Sequence, residues 1–343
     1  MNKWRIIAAT LAAVGITGAL AGSAVVLLGL YNTSAQNGHW AITNWVLHTT
    51  FENAVKLRAP SATAVPQDLA DPALIELGAR HYDSACRMCH ARPGAEADAT
   101  IASMVPRPPH IAEAVADWRP EEMHWIVHEG VKMSGMPAWP APSRPDEVWA
   151  VVAFLTAIDR GMTAPDYLAM TDPAPEGYCA GCHGAQGTSR APRLDILDPE
   201  YIQMTLHAYR TGQRASGIMA HAITQIEPSQ DERLAAALAS LPGVTPQDAG
   251  GGDREAASML AQNGTQDVPA CLSCHGADNR NPLIPSLDGQ GREYLKQQLV
   301  LWRAGKRGGG ERAALMHSAA EHLTDQQIAQ IATYFAARSP RSR

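Results

Sequence analysis

The chain has 343 residues and a formal net charge of −6, which excludes binding to nucleic acid through bulk charge. Phenylalanine is scarce and long alternating β-branched runs are absent, which excludes a sheet-dominated fold and predicts an all-α protein. All six cysteines fall in three C-x-x-C motifs, which excludes a disulfide framework of the secreted kind.

The first element is an uncharged apolar run over residues 6–31, preceded by Lys3 and Arg5. A membrane-spanning helix needs about 20 apolar residues, whereas the core of a cleaved signal has about 7–15. Ala21-Gly22-Ser23-Ala24 reads as a cleavage site, but Val25, Val26, Leu27, Leu28 and Leu30 continue past it. The reading adopted is a retained anchor over 1–31. The positive residues before it keep the N-terminus cytoplasmic and put the remainder on the periplasmic side of a bacterial inner membrane. Residues 32–66 carry Trp40, Ile42, Trp45, Val46, Phe51, Val55 and Leu57, read as one or two amphipathic helices followed by a linker. The tryptophans suit the bilayer interface; packing on the next domain or on a partner subunit is the alternative.

Three motif units follow, at 67–165, 166–247 and 248–343. They hold Cys86-Arg87-Met88-Cys89-His90, Cys179-Ala180-Gly181-Cys182-His183 and Cys271-Leu272-Ser273-Cys274-His275. This spacing marks covalent haem c attachment. On one helical turn, Cys86 and Cys89, Cys179 and Cys182, and Cys271 and Cys274 can each reach the two vinyl groups of a porphyrin. His90, His183 and His275 then supply a proximal nitrogen. A zinc site would pair its C-x-x-C units, which an odd number fits badly. A thioredoxin-like dithiol would need a βαβ context that is absent. Three covalently bound haems c are therefore expected.

In the first unit a helix over 72–84 leads into the motif. A proline-rich loop follows at 104–109, then a helix near 121–130, the run Gly135-Met136-Pro137, and a closing helix from about 143. The second unit has a helix over about 200–211, Met219 in a loop, and a closing helix over 228–241 that Ser229 and Glu232 open as a capping box. A flexible linker spans 246–252. The third unit repeats the second: Tyr201, Tyr209, Arg210 and Arg214 match Tyr294, Trp302, Arg303 and Arg307, and Met219 matches Met316. Thr324 and Gln327 open its closing helix.

The sixth iron position is assigned to loop methionines Met136, Met219 and Met316, whose thioethers favour ferrous iron. Met133 competes with Met136. Met104, Met123, Met162, Met204 and Met259 read as core fillers. His221 and His317 adjoin the proposed ligands and would give bis-histidine irons. His39, His48, His110, His124, His128 and His207 read as surface or packing residues. Pro106, Pro192 and Pro285 are candidates to accept a hydrogen bond from each proximal histidine. Arg210, Arg214, Arg303 and Arg307 are candidates for haem propionates or exposed helix-end residues. From residue 60 to 200 acids outnumber bases about two to one, whereas the segment from 292 onward is basic. That asymmetry either orients docking or is ordinary solvated surface.

These motifs resemble class I cytochromes c. Residues 166–338, with two C-x-x-C-H-G motifs and the Tyr…Arg-x-Gly-x-Arg helices, resemble tandem dihaem cytochromes of the c4 type. The run 132–139 is similar to single-haem domains of membrane-anchored bacterial cytochromes and of dehydrogenase cytochrome subunits. The resemblance implies electron transfer in a respiratory chain. The implied partners are a membrane redox complex (an oxidase, a quinol-oxidising complex or a dehydrogenase) and a soluble periplasmic carrier, beside the lipid bilayer. A dedicated electron-accepting subunit of a membrane-bound dehydrogenase is the second reading. A haem enzyme such as a peroxidase is the third, and no nucleotide or quinoprotein site of the chain's own is evident.

Overall fold

A computed structural model describes residues 3–132, 134–172, 177–184, 188–243, 254–310 and 312–340. The expected linker at 246–252 and Met133 lie outside the described residues. The fold is helical, with an isolated bridge between Arg92 and Ala95 outside the helices.

Helix α1 (Lys3–Leu27) is apolar and has no buried residue. It is long and apolar enough to cross a membrane. Helix α2 (Ala41–Arg58) is single. Its second half packs on a later helix, with Val55 buried and Phe51 5.6 Å from the Trp118 ring. Its first half leaves Trp40, Ile42, Trp45 and Val46 exposed.

The first bundle comprises α3 (Pro72–Ala85), α4 (Arg87–His90), α5 (Ala99–Ala102), α6 (Ile111–Ala114), α7 (Pro120–Glu129), α8 (Pro145–Asp159) and α9 (Ala164–Thr171). Asp71 caps α3 by accepting the Ala73 N–H at 3.1 Å, and Pro72 fits the first turn because its missing N–H would be unpaired there. Leu74, Ala79 and Tyr82 make its buried face. Against it lies α8, buried along most of its length because both its sides are covered. The two helices cross at Gly78, where a Cβ would stand 1.9 Å from the Ala150 carbonyl oxygen. Helix α9 also packs on α3, with Tyr167 fully buried and its hydroxyl donating to Asp83 at 2.5 Å. The expected unit boundary at Asp166 therefore falls inside this bundle: Asp166 caps α9 through Thr163, and α9 is held by the first core.

The second bundle comprises α10 (Ala180–His183), α11 (Pro199–Arg210), α12 (Gly217–Ile223) and α13 (Asp231–Ala239) around Leu194, Ile202, Leu206, Ala235 and Leu238. The expected Ser229–Glu232 capping box is not formed. Residues Pro228–Gln230 make a 3-10 turn, and the helix proper starts at Asp231, with Gln230 as an N-cap lacking a side-chain bond. Asp231 instead grips Arg210 at 2.7 Å.

The third bundle comprises α14 (Arg254–Asn263), α15 (Leu272–His275), α16 (Arg292–Arg303), α17 (Ala313–Ala320) and α18 (Asp325–Ala336). Its core holds Leu260, Leu295, Leu299, Ile328, Ile331 and Phe335. The expected Thr324–Gln327 capping box is present. The internal repeat is geometric as well as sequential. Arg210 binds Asp231 and the Ile223 carbonyl, and Arg303 binds Asp325 and the Leu323 carbonyl. Arg214 covers the Tyr209 ring at 4.7 Å, and Arg307 covers the Trp302 ring at 4.8 Å.

Both other bundles dock on the second. From the first side, Arg190 pairs with Asp68 and Asp71, and α10 packs on α3. From the third, Gln290 exchanges two hydrogen bonds with the Arg193 backbone, at 2.8 and 3.1 Å. The Gly308 backbone lies so close to the Gln213 carbonyl that a Cβ would come within 2.1 Å of it. Gln297 reaches Asp146 at 2.8 Å, so all three bundles meet at one point.

Candidate functional site

Each C-x-x-C-H motif forms a single helical turn. The histidine N–H donates to the first cysteine's carbonyl at 3.0 Å (His90), 3.0 Å (His183) and 2.9 Å (His275). Positions i, i+3 and i+4 share one face of such a turn, so the two thiols and the imidazole of each motif lie side by side.

The imidazoles are oriented alike. Nδ1 donates to a proline carbonyl in each: His90 to Pro109 at 2.9 Å, His183 to Pro192 at 2.7 Å, His275 to Pro285 at 3.0 Å. A proton held on Nδ1 leaves the Nε2 lone pair free as a metal ligand. The expected Pro192 and Pro285 take this role, but in the first bundle Pro109 replaces the expected Pro106. The reason is His110, which follows Pro109. It caps α6 through Ala112 and reaches the Arg92 and Ala95 carbonyls at 3.2 and 3.1 Å, which fixes the Pro109 carbonyl beneath the motif. Burial lowers the pKa of His183 below its ordinary value, which favours the neutral, ligating form.

Burial pushes the Cys86 thiol up to about 12, and those of Cys182 and Cys271 to about 11. Among the described residues no group of three or more His, Cys, Asp or Glu gathers as it would around a metal ion.

A cavity of about 330 Å³ opens on the second motif, lined by Cys182, His183, Pro192, Tyr209, Arg214 and Met219. Thiol, imidazole and thioether thus face one space. Of two buried guanidinium groups nearby, Arg214 lines the cavity and Arg307 lies behind Gln298, which also lines it. Arg214 is 6% exposed and Arg307 9%. Arg214 approaches the Tyr294 hydroxyl and Gln298 at 3.3 and 3.4 Å; Arg307 binds Gln298 at 2.7 Å. Among the described residues neither meets a carboxylate, and a buried cation without a counter-charge is costly. The propionates of a haem seated here would supply that charge. The residues present therefore fit haem c, with Arg214 and Arg307 as propionate partners. Arg210 and Arg303 do not serve this purpose, because Asp231 and Asp325 occupy them.

The proposed sixth-ligand methionines take two local forms. Met136 is half-buried in the loop between α7 and α8, its N–H donating to Ser134 Oγ at 3.1 Å and its carbonyl accepting from Val131 at 3.1 Å. Met219 and Met316 sit on short helices, α12 and α17, rather than in the expected loops. For Met219 the cause is Ser216, whose Oγ accepts the Met219 N–H at 3.1 Å and starts the helix. Met219 packs on the core that Cys179 joins, and Met316 on the core that Cys271 joins. Of the expected fillers, Met123 is buried in the first core and Met162 packs against it, but Met259 is exposed. His221 turns toward the first bundle, 5.8 Å from the His81 ring, and His317 binds the Trp302 carbonyl at 2.7 Å through Nδ1.

Sequence reasoning missed His81, Trp139, Arg144 and Glu147, which form the first bundle's contact with the Met219 segment. Arg144 and Glu147 stand at a helix start, where charges are ordinary, and nothing local marks their partners some 70 residues away.

Sequence comparison with known proteins points to the same cofactor. The family described as "Cytochrome C oxidase, cbb3-type, subunit III" matches residues 73–155, and the family described as "Cytochrome c" matches residues 261–338. The thiosulfate dehydrogenase electron acceptor of Stutzerimonas stutzeri (strain A1501) is 33% identical over 170 residues, covering 46% of this chain and 77% of that protein. Cytochrome c4 of Thiocapsa roseopersicina is 34% identical over 170 residues, covering 46% of this chain and 85% of that protein. The solved cytochrome c4 of Acidithiobacillus ferrooxidans aligns at 26% identity with a TM-score of 0.41, covering 46% of this chain and 98% of that one. With the attachment turns, the oriented histidines and relatives of this similarity, the chain belongs to the class I c-type cytochromes, electron-transfer proteins that bind haem c covalently.

Proposed function

We propose that this chain is a membrane-anchored triheme electron-transfer protein on the periplasmic face of a bacterial inner membrane. One observation carries the reading: the same turn, with the same imidazole-to-proline-carbonyl bond, occurs at all three motifs. The three bundles, with α9 in the first, each hold one haem c. Each haem, when bound, supplies a one-electron ferric/ferrous couple. The chain's part is to hold it through Cys86 and Cys89, Cys179 and Cys182, or Cys271 and Cys274. His90, His183 and His275 ligate on one side, and Met136, Met219 and Met316 close the other against substrates. Arg214 and Arg307 would meet haem propionates where the second and third bundles join. Because the second bundle touches both neighbours, the packing supports a series order with the second site in the middle.

Helix α1 is the anchor, and the exposed tryptophans of α2 lie in the bilayer interface. Electrons pass toward a terminal oxidase or a soluble carrier; the oxidase-subunit family matched by the first bundle supports this direction. A second reading has its own support. Two relatives are named as thiosulfate dehydrogenase electron acceptors, which favours a chain that takes electrons from a dehydrogenase partner.

Pyridine haemochrome quantitation of the matured protein tests the stoichiometry: three haems per chain are expected, and two or fewer would overturn it. Isolation from membranes in mild detergent tests the partner, since an oxidase supports the first reading and a dehydrogenase subunit the second. Intact mass tests the anchor, because a mature chain starting near Ser23 would remove it.

A further inference from the structure

The segment that carries Met219 is held from outside its own bundle. Three side chains of the first bundle converge on residues 215–217. Arg144 Nη1 donates to the Ala215 carbonyl at 2.7 Å. Glu147 Oε2 accepts the Gly217 N–H at 2.6 Å. The Trp139 indole lies over Gly217 so closely that a Cβ there would come within 2.2 Å of Nε1. Arg144 and Glu147 pair with each other at 3.0 Å, and Asp146 adds a bond to Arg144 at 2.8 Å. Arg144 is buried and the Glu147 side chain is only 10% exposed, so they are satisfied by one another and by two backbone groups of the second bundle. Between those groups Ser216 caps α12 by accepting the Met219 N–H. Glu147 thus takes a free N–H at the start of α12, the end where a helix favours an anion. Charge-assisted hydrogen bonds of this kind are about twice as strong as neutral ones. Among the described residues the third bundle offers no counterpart: Arg312 precedes α17 without a side-chain cap.

We propose that Glu147 is the positioning residue for Met219, so that docking of the first bundle sets the strength of the sixth ligand at the second haem. This rests on the reading of Met219 as that ligand. The grip fixes where α12 begins, and the α12 start fixes the Met219 backbone two residues on. Loosening it lets the thioether withdraw, and the ferrous preference it confers falls.

The test uses the full-length, haem-loaded protein. Met219→His first identifies which component of a redox titration belongs to the second site. Glu147→Ala is then expected to lower that same component and to weaken one share of the near-infrared methionine–iron band. The expected size is about a tenfold loss of ferrous-over-ferric preference, or about 59 mV for one electron. Glu147→Gln, which keeps an acceptor for the Gly217 N–H, restores most of it; a merely structural lesion would not be rescued at the potential. Should Glu147→Ala not accumulate, Glu147→Asp draws the acceptor back by one methylene and is expected to shift the component in the same direction. If Met219→His moves a component and neither Glu147 variant does, the positioning role is overturned while the ligand stands. If Met219→His moves nothing, the ligand assignment falls and the proposal with it.

Discussion

Replacing Gly78 with alanine sets two effects of opposite sign against each other. Alanine gains about 1 kcal/mol over glycine in a helix interior. Yet its Cβ would stand 1.9 Å from the Ala150 carbonyl oxygen and 3.1 Å from Phe154 Cβ. The first obstacle is backbone, so no rotamer change removes it, and α3 must withdraw from α8 by about 1 Å. A gap of that size forfeits a quarter to a half of each contact's dispersion energy along the seam. That seam carries Tyr82, Val151 and Phe154, each almost fully buried. Overpacking costs about 1–3 kcal/mol, occasionally more, and a backbone clash this short belongs at the upper end. The net is a loss of about 2 kcal/mol, or about 8–16 °C in melting temperature for a unit of this size. Thermal unfolding followed by circular dichroism measures it. A variant that melts at or above the parent temperature would refute the reasoning, since helix propensity would then outweigh the crossing.

Acidification should destabilise the contact between the first and second bundles through His81. Burial, with the His221 ring beside it, lowers its pKa from 6.5 to about 3. The folded state then binds fewer protons than the unfolded state between those values. Stability is full above about pH 6.5, falls as pH drops toward about 3, and does so by up to about 1.4 kcal/mol per unit. His81→Phe should flatten that stretch of a denaturant-midpoint-versus-pH curve; an unchanged slope would refute the assignment. The twin ion pairs should differ in worth. Asp231→Ala strands Arg210 in a largely buried setting and is expected to cost about 3 kcal/mol, whereas Asp325 is 89% exposed and Asp325→Ala about 1 kcal/mol or less. Urea midpoints compare them, and equal losses would contradict the ranking. Arg214→Gln removes a buried positive charge from the second cavity and should lower one redox component without removing haem; a rise in that component would count against the placement.

The attachment residues were legible because thioether chemistry is local: two thiols and an imidazole must share one turn, so the spacing declares itself. The partners Pro192 and Pro285 were legible through the repeat, which gave each a counterpart at the same offset. Pro109 was not, because three prolines crowd residues 106–109 and His110, which decides among them, acts through the distant carbonyls of Arg92 and Ala95. Met219 and Met316 were expected in loops because they fall between the middle and closing helices of their units; Ser216 capping makes a short helix of the first. The second unit was expected to start at Asp166, but Tyr167 gives α9 to the first core. The four propionate candidates looked equivalent in sequence. Only the positions of Asp231 and Asp325 in space divide Arg210 and Arg303 from Arg214 and Arg307.

The packing of α10 on α3 bears on the order of maturation. Gly181 lies against Arg80 so closely that a Cβ would stand 3.1 Å from its guanidinium, and burial beside Arg80 and Glu76 encloses the Cys182 thiol. Whatever machinery forms the thioethers must grasp the second motif before α3 closes over it. The first bundle precedes the second in the chain, so its closure onto the second would have to wait for that stitch. A chain that docks before ligation would leave the Cys182 thiol reachable only from the side that opens on the cavity.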